Sequence, residues 1–436
     1  MRLATFLPAL LACATVLPAA ARTDDAPIDA AIRGFLAREA IPAAHVSVIR
    51  GSTVVLRRGY GSFGADGRPP DESSLFPLGS ISKQFTAAAI LALVDSGQLR
   101  LDARVGDYLP EWFADEPDLR IEHLLSHTSG LADFLWLEGY RPLAENPATP
   151  IAAYVALAGA APRRFAPGAR WAYSNTNYKA LALIIERVTR RPFDDVLAAT
   201  VLRPAGIEGI AACHSLPAER IVPGISGEGR PAPLDASAAA YAGDGGLCGN
   251  ATALAKWLEV GFAGRKGIAS RLARSIRLDD GTEVPYGFGV STREFLGHPA
   301  DWHAGNVDGH SAMIAYLPED DLRLVILTNR GFVWLTELMP ALIGEKPPGR
   351  GEASGGTLTG RFEDGLFQYT VAPDGDGMQV EIDLIGRMKF IPAGQDEYIA
   401  ERYPATFRLR LPTGGSRDAF EIDWGEVRSY ARRIRD

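Results

Sequence analysis

The sequence predicts an α+β fold, in which an antiparallel sheet flanked by helices joins a largely helical region and a small all-β module follows. Three observations predict it. Strand-like segments lie near both ends of the first 343 residues, apolar helices lie between them, and a segment rich in glycine and proline precedes alternating apolar and polar strands. Such separation of strands from helices is typical of α+β domains.

The first strands and the late strands of the large domain form two predicted hairpins. Each pairs short β-branched or apolar runs around a turn, at residues 46–49 with 53–56 and 312–317 with 322–328. Because the intervening sequence is mainly helical, we expect these hairpins to share one antiparallel sheet.

Helices are predicted between the hairpins at residues 80–95, 178–189 and 252–261. In the first, Phe85, Ala88 and Leu91 recur at helical spacing, and Gly97 is a suitable stop. These helices should form the region beside the sheet.

Residues 344–356 read as a linker because they contain Pro347-Pro348 and several glycines. Beyond them, apolar and polar residues alternate between turn-forming segments. We therefore predict a large domain over residues 22–343 and a small β-rich module over 357–436. The module would either cap a site in the large domain or stabilise the fold.

Composition limits the partners. The chain has 436 residues, 47% of them hydrophobic, and a net charge of −8. This is enough for a large core. An acidic chain without a basic stripe argues against nucleic acid as a partner.

Residues 1–21 have the pattern of an export signal. Arg2 precedes an apolar run, and Ala19-Ala20-Ala21 offers a small-residue cleavage site. The run is short for a membrane-spanning helix, and no later segment is a convincing span. We expect a periplasmic or secreted protein without a transmembrane segment in the mature chain. The alternative is a lipoprotein attached through Cys13.

Cleavage after Ala21 would leave two cysteines, Cys213 and Cys248. An exported protein can oxidise such a pair. Sequence does not give their separation in space, so a disulfide and two buried free thiols both stay open, with the thiols favoured.

The strongest chemical signal is Ser80-Ile81-Ser82-Lys83 at the start of a predicted helix. Three-residue spacing puts Ser80 and Lys83 on one helix face. A serine hydroxyl becomes a nucleophile when a base removes its proton, and a desolvated, neutral lysine can be that base.

Two further elements complete a candidate site. Tyr173 precedes a predicted helix and could shuttle protons, while Asn175 could accept from Lys83 and donate to a substrate carbonyl. His303-Ala304-Gly305 lies just before the late hairpin, where Gly305 would let a substrate approach the strand. His303, Asp308 and His310 are also possible metal ligands, but their spacing matches no metal motif. We expect neither a metal nor a cofactor.

These three elements, S-x-x-K, Y-x-N and H-x-G, resemble the class C β-lactamase, D-aminopeptidase and penicillin-binding-protein-like family. The resemblance extends over about residues 28–332 in the family's order, and it includes residues 123–131, Pro167-Gly168 and Gly245-Gly246-Leu247. It implies a β-lactamase/transpeptidase-like domain with the active site between its α/β and helical parts.

The resemblance also implies roles. Ser80 would be acylated, and Lys83 and Tyr173 would share the proton transfers, with the base between them left open. Asn175 would orient Lys83 and the substrate. His303 and Gly305 would also bind the substrate. The backbone N–H groups of Ser80 and Asn306 would form the oxyanion hole. His127 is expected to be structural.

His303 stands where β-lactamases and carboxypeptidases usually carry lysine, and neutral histidine offers no fixed charge to a substrate carboxylate. The sequence therefore favours a hydrolase of small peptides, amides or esters, of D-aminopeptidase or esterase type and possessing no nucleic-acid role. The alternatives are a true β-lactamase, a D-alanyl-D-alanine carboxypeptidase, or a non-catalytic cell-wall-binding or sensor protein. The sequence does not give the oligomeric state.

Overall fold

The structure is a computed structural model. It describes residues 25–64, 67–146, 148–232, 242–263, 268–351, 358–364, 367–383, 386–412, 417–424 and 427–434. The predicted export signal and Cys13 lie outside these residues, as does the second part of the predicted linker.

The described helices, numbered in chain order, all belong to the large domain. They are α1 (Ala26–Arg38), α2 (Ser82–Asp95), α3 (Pro110–Phe113), α4 (Ile121–Leu125), α5 (Tyr140–Ala144), α6 (Ile151–Gly159), α7 (Asn175–Thr189), α8 (Phe193–Leu197), α9 (Ala251–Phe262), α10 (Ala269–Leu272) and α11 (Met339–Ile343). Within the part of the chain that the structure describes, no helix has both the length and the apolar character that crossing a membrane requires.

The strands of the large domain are β1 (Ala43–Arg50), β2 (Thr53–Gly61), β3 (Phe76–Pro77), β4 (Ile210–Ala212), β5 (Gly224–Ile225), β6 (Pro231–Ala232), β7 (Leu247–Gly249), β8 (Ile276–Arg277), β9 (Glu283–Val284), β10 (Asp301–Val307), β11 (His310–Leu317) and β12 (Leu322–Thr328). The main sheet is antiparallel in the order β10-β11-β12-β1-β2. Both predicted hairpins therefore join one sheet.

Both faces of this sheet are covered. Along β11, Ala312 and Ile314 pack into the core shared with α2, α7 and α9. Met313 and Ala315 point the other way, into the core formed with α1 and α11. This alternation follows from the two-residue period of a strand. The edge strand β10 is left facing the helical region, where the candidate site lies.

The helices begin slightly differently from the prediction. A 3-10 turn at Gly79–Ile81 precedes α2, which starts at Ser82 rather than Ser80. Helix α7 starts at Asn175 rather than Tyr178. The reason is a tertiary cap, since the Asn175 backbone N–H donates to Asp133 Oδ2 at 3.0 Å.

Cys213 and Cys248 form a disulfide, with their Cα atoms 4.9 Å apart. The favoured prediction of two free thiols is therefore wrong. The cysteines meet because β4 and β7 are paired, with Ala212 opposite Leu247, a register that the sequence pattern does not reveal. The disulfide fastens β7 shortly after a loop that lines the candidate site.

The module is a closed antiparallel barrel in which the first strand pairs with both the second and the last. Its strands are β13 (Gly360–Glu363), β14 (Gln368–Asp374), β15 (Gly377–Ile382), β16 (Gly386–Gly394), β17 (Glu397–Ala400), β18 (Phe407–Arg410), β19 (Ala419–Trp424) and β20 (Val427–Arg433). Buried side chains such as Phe362, Tyr369, Met378 and Phe390 fill it. Closure removes exposed strand edges, and the predicted α+β fold with an all-β module is confirmed.

The barrel packs on the large domain. Trp334 lies edge-on to Phe407, with ring centroids 4.8 Å apart. Arg293 forms a largely buried ion pair with Asp423, at 2.6 Å. Glu337, three residues after Trp334, accepts hydrogen bonds from Ala405 and Thr406 of the module. Polar and apolar contacts therefore both hold the domains together.

Candidate active site

The serine and lysine of the S-x-x-K sequence meet at the start of α2. Ser80 lies in the 3-10 turn before the helix and is half-buried, whereas Lys83 is completely buried. Lys83 Nζ lies 3.0 Å from Ser80 Oγ. The one-turn spacing thus brings an amine to a hydroxyl that solvent can still reach.

Lys83 has two further oxygen partners. Its Nζ donates to Asn175 Oδ1 and to the carbonyl oxygen of Asp244, both at 2.8 Å. It also lies 5.0 Å from the centroid of the Tyr173 ring and 5.7 Å from that of Tyr178. The serine, the lysine and the tyrosine predicted from distant parts of the sequence therefore converge.

Asn175 is held in place by a buried carboxylate. Asp133 Oδ2 accepts from the Asn175 side-chain N–H at 2.8 Å as well as from its backbone N–H. Burial raises the pKa of Asp133, while hydrogen bonds from the backbone of Asn175 and Leu135 and the charge of Lys83 oppose this rise. One amide N–H of Asn175 is thus already committed, which fixes its oxygen toward Lys83.

The His127 ring packs against the Tyr173 ring. It is fully buried at φ 58, and its ring lies 4.3 Å from the Tyr173 ring at an angle of 30°. Its Nδ1 accepts the backbone N–H of Ser174 at 3.2 Å. Burial lowers the pKa of His127 well below its usual value, and the charge of Lys83 lowers it further. A neutral ring that positions the 173–174 backbone agrees with a structural role.

His303 also lies near Tyr173, with ring centroids 6.4 Å apart. Its Nε2 lies 2.8 Å from the hydroxyl of Tyr286, and its Nδ1 lies 2.5 Å from the Ala304 carbonyl oxygen. Burial lowers the pKa of His303 to about 3, with Lys83 adding to this and the Ala304 carbonyl opposing it. Because both nitrogens have protein partners, direct substrate contact would require one of these bonds to break.

Gly305 and Gly79 allow two backbone segments to touch. A Cβ at Gly305 would overlap the Leu78 carbonyl oxygen and lie 3.0 Å from the Ser80 nitrogen, and one at Gly79 would lie 2.8 Å from the Asn306 nitrogen. Gly305 therefore makes room for the chain's own backbone, and the approach of a substrate to this strand stays a prediction. The consequence is that the two backbone segments that carry the proposed oxyanion-hole amides, those of Ser80 and Asn306, lie against each other.

Four residues of this site were not identified from the sequence: Asp133, Lys179, Asp244 and Tyr286. Asp244 immediately precedes Gly245-Gly246, which belongs to the stretches that resemble the family. Its position beside this pair could therefore have indicated a site residue. Asp133 lies only two residues beyond the matched segment 123–131. Lys179 and Tyr286 carry no local signal, because tertiary packing alone brings them to the site.

The two histidines among the possible metal ligands have other partners. His303 bonds to Tyr286 and Ala304, and His310 Nε2 lies 2.8 Å from the Val222 carbonyl oxygen. Among the described residues, no three side chains of His, Cys, Asp or Glu form a group suited to a metal ion.

Comparison with known proteins identifies the family. A D-aminopeptidase of Gluconobacter oxydans (strain 621H) is 28% identical over 315 residues, which are 69% of this chain and 58% of that protein. The chain thus covers less than two thirds of this relative's length.

Solved structures share the fold. The octameric penicillin-binding protein homologue from Pyrococcus abyssi has a TM-score of 0.65 and 21% identity, over 94% of this chain and all of that chain. The D-amino acid amidase from Ochrobactrum anthropi SV3 complexed with L-phenylalanine has a TM-score of 0.61 and 20% identity, over 73% and 97%.

The predicted resemblance to β-lactamase, D-aminopeptidase and penicillin-binding-protein-like hydrolases is confirmed by these matches. A model of the Beta-lactamase family matches residues 28–342, which is well over half of the sequence. The chain therefore belongs to the Beta-lactamase family of serine hydrolases.

Proposed function

We propose that this chain is an exported hydrolase that cleaves peptide amides or esters through an acyl-Ser80 intermediate, in the manner of D-aminopeptidases and esterases. The observation that carries the proposal is the placement of Lys83 Nζ between Ser80 Oγ, Asn175 Oδ1 and the Asp244 carbonyl oxygen.

This placement suits Lys83 as the base. A neutral amine has two N–H donors and one lone pair. Asn175 Oδ1 and the Asp244 carbonyl oxygen can only accept, so they take both donors. The lone pair then faces Ser80 Oγ, from which it can accept the hydroxyl proton as the oxygen attacks.

The remaining groups fit the later steps. As Ser80 Oγ bonds to the acyl carbon, negative charge develops on the carbonyl oxygen, and the amides of Ser80 and Asn306 would stabilise it. The carbon–nitrogen or carbon–oxygen bond then breaks, and the Tyr173 hydroxyl gives the leaving group its proton and regains one from Lys83. Water releases the acid by the same proton transfers in reverse.

His303 supports the choice of substrate. With its pKa near 3, it is neutral at pH 7 and offers no cation to a substrate carboxylate. This favours substrates without a carboxylate at that point over penicillins and D-alanyl-D-alanine ends. Curated relatives named D-aminopeptidase favour amides of D-amino acids as the first substrates to try.

Export is part of the proposal. The signal pattern of residues 1–21 supports it, and a disulfide between Cys213 and Cys248 suits an oxidising compartment. Mass measurement of the mature protein from its native cell envelope or medium should give an N-terminus after Ala21.

The test of function combines turnover with intact-mass measurement. Purified protein is exposed to D- and L-amino-acid amides, small esters and nitrocefin. We expect turnover of D-amides or esters and a transient mass increase equal to the acyl group. Nitrocefin should be turned over slowly.

Ser80→Ala should abolish both signals, while Ser62→Ala, at an exposed serine, should keep them. Unchanged turnover in Ser80→Ala, or rapid nitrocefin hydrolysis with no amide or ester activity, would contradict the proposal. A protein that is inert to the whole panel would favour a binding or sensor role instead.

A further inference from the structure

A buried ion pair lies directly behind the candidate site. Lys179 Nζ lies 2.7 Å from Asp244 Oδ1, and the side chains are 0% and 8% exposed. Lys179 stands one helical turn beyond Asn175 on α7. An ion pair so far from water is costly to form, and losing one partner leaves a buried charge uncompensated.

Two carboxylates interact with Lys179, those of Asp244 and Asp133, and each is also connected to Lys83 by hydrogen bonds. The carbonyl of Asp244 accepts from Lys83 Nζ, while its carboxylate binds Lys179. Asp133 binds Asn175, which in turn accepts from Lys83, and it also interacts electrostatically with Lys179. Two carboxylates and one cation are therefore linked to the amine that would take the serine proton, through Asn175 and the Asp244 backbone.

We propose that Lys179 is a positioning residue whose buried charge offsets Asp244 and Asp133 and so keeps Lys83 able to accept the Ser80 proton. The inference rests on the proposed function in one respect, which is that Lys83 is the base. It adds a residue outside the S-x-x-K, Y-x-N and H-x-G elements.

Among the residues that the structure describes, the other groups near Lys83 do not provide this balance. Burial lowers the pKa of His127 and His303 and raises that of Tyr178, so all three are neutral near pH 7. The centroid of the Tyr173 ring lies 5.0 Å from Lys83 Nζ. Phe134 and Tyr154 rings face Lys179, each with the centroid 5.3 Å from Nζ. Burial also lowers the pKa of Lys179 itself, and Asp244 opposes this.

The physical consequence has a definite sign. Without the Lys179 charge, two nearby carboxylates would favour the protonated form of Lys83. At separations of several ångströms, one unbalanced charge shifts a buried titration by about one pH unit. A role limited to packing would instead lower the rate equally at every pH.

The experiment measures the rate at which a fluorophosphonate labels Ser80, between pH 5 and 10, in the full-length protein. In Lys179→Met, the acid limb of the rate profile should move up by about one pH unit. In the double variant Lys179→Met/Asp244→Asn, which removes both charges, it should return close to the wild-type position. Lys256→Met, at a surface lysine of α9, is the matched control and should leave the profile unchanged.

Should Lys179→Met fail to fold, Asp244→Asn alone provides the test. It removes one of the two carboxylates and keeps the Lys179 cation, so the acid limb should move to lower pH. A uniform loss of rate without movement of the limb, or a double variant that keeps the shift, would overturn the inference while leaving Ser80 as the nucleophile. A wild-type protein that takes no label at Ser80 would instead overturn the proposed function, and this inference with it.

Discussion

Glu337 lies where the large domain meets the barrel, and we expect its burial there to make the stability of the folded protein depend on pH. Its Oε1 accepts hydrogen bonds from the Thr406 hydroxyl at 2.6 Å and the Ala405 backbone N–H at 3.1 Å. Burial raises the pKa of Glu337 from 4.5 to about 7, although these hydrogen bonds oppose the rise. The folded protein therefore holds a proton that the unfolded chain releases near pH 4.5.

The magnitude follows from this difference. Stability from the protonated carboxyl is fully present below pH 4.5 and is lost as the pH rises through about 7. A difference of roughly 2.5 pH units corresponds to about 3 kcal/mol of unfolding free energy. Glu337→Gln keeps an oxygen acceptor but cannot ionise, so it should be more stable than the wild type by this amount at pH 8 and nearly equal to it at pH 4.

The assay is urea unfolding at several pH values, followed by tryptophan fluorescence. The quantity of interest is the difference between Glu337→Gln and the wild type, because other titrating groups cancel in it. Glu363→Gln, at an exposed position on β13, is the matched control and should show no such trend. A difference between Glu337→Gln and wild type that stays constant from pH 4 to 8 would refute the reasoning.

Three further predictions concern the site and its support. Gly305→Ala should lower kcat about 100-fold with little change in KM, because the added Cβ would displace the Leu78–Ser80 backbone. Gly34→Ala is the control, since Gly34 has open space around it, and it should have no effect. An unchanged kcat in Gly305→Ala would count against the oxyanion assignment. Replacing Cys213 and Cys248 together by serine should cost about 4 kcal/mol of unfolding free energy, as expected for closing a loop of this length, and a dithiol reductant should give the same loss in the wild type but not in the variant. Nitrogen-15 NMR should find His303 neutral from pH 5 to 9, because its pKa lies near 3; a titration of His303 within that range would contradict the buried geometry.

The local parts of the site were predictable from sequence. The Ser80–Lys83 pairing follows from helical spacing alone, and the family resemblance pointed to Tyr173, Asn175 and His303. Asp133 and Asp244 were not predicted as site residues, because each acts through a loop whose position depends on contacts with α7 and α2. Lys179 looks like an ordinary helix residue until the fold buries it against Asp244.

In the fold, too, individual strands could be predicted from local sequence, whereas pairing between distant strands could not. Alternation predicted the strands that became β14, β15, β18 and β19, and turn residues marked their limits. It did not predict β20, because apolar and polar residues do not alternate strictly along Val427–Arg433. Closure of the barrel depends on pairing β20 with β13, a contact across the whole module that no local pattern encodes.

The central claim is that Lys83 activates Ser80, and the most direct measurement is site-resolved labelling kinetics. A fluorophosphonate is reacted with the wild type, Lys83→Met and Lys256→Met, and peptide mass spectrometry locates the adduct. The geometry predicts a single adduct on Ser80, formed at least about 100-fold more slowly in Lys83→Met and at the wild-type rate in Lys256→Met. An adduct on another serine, or equal rates in the wild type and Lys83→Met, would contradict it.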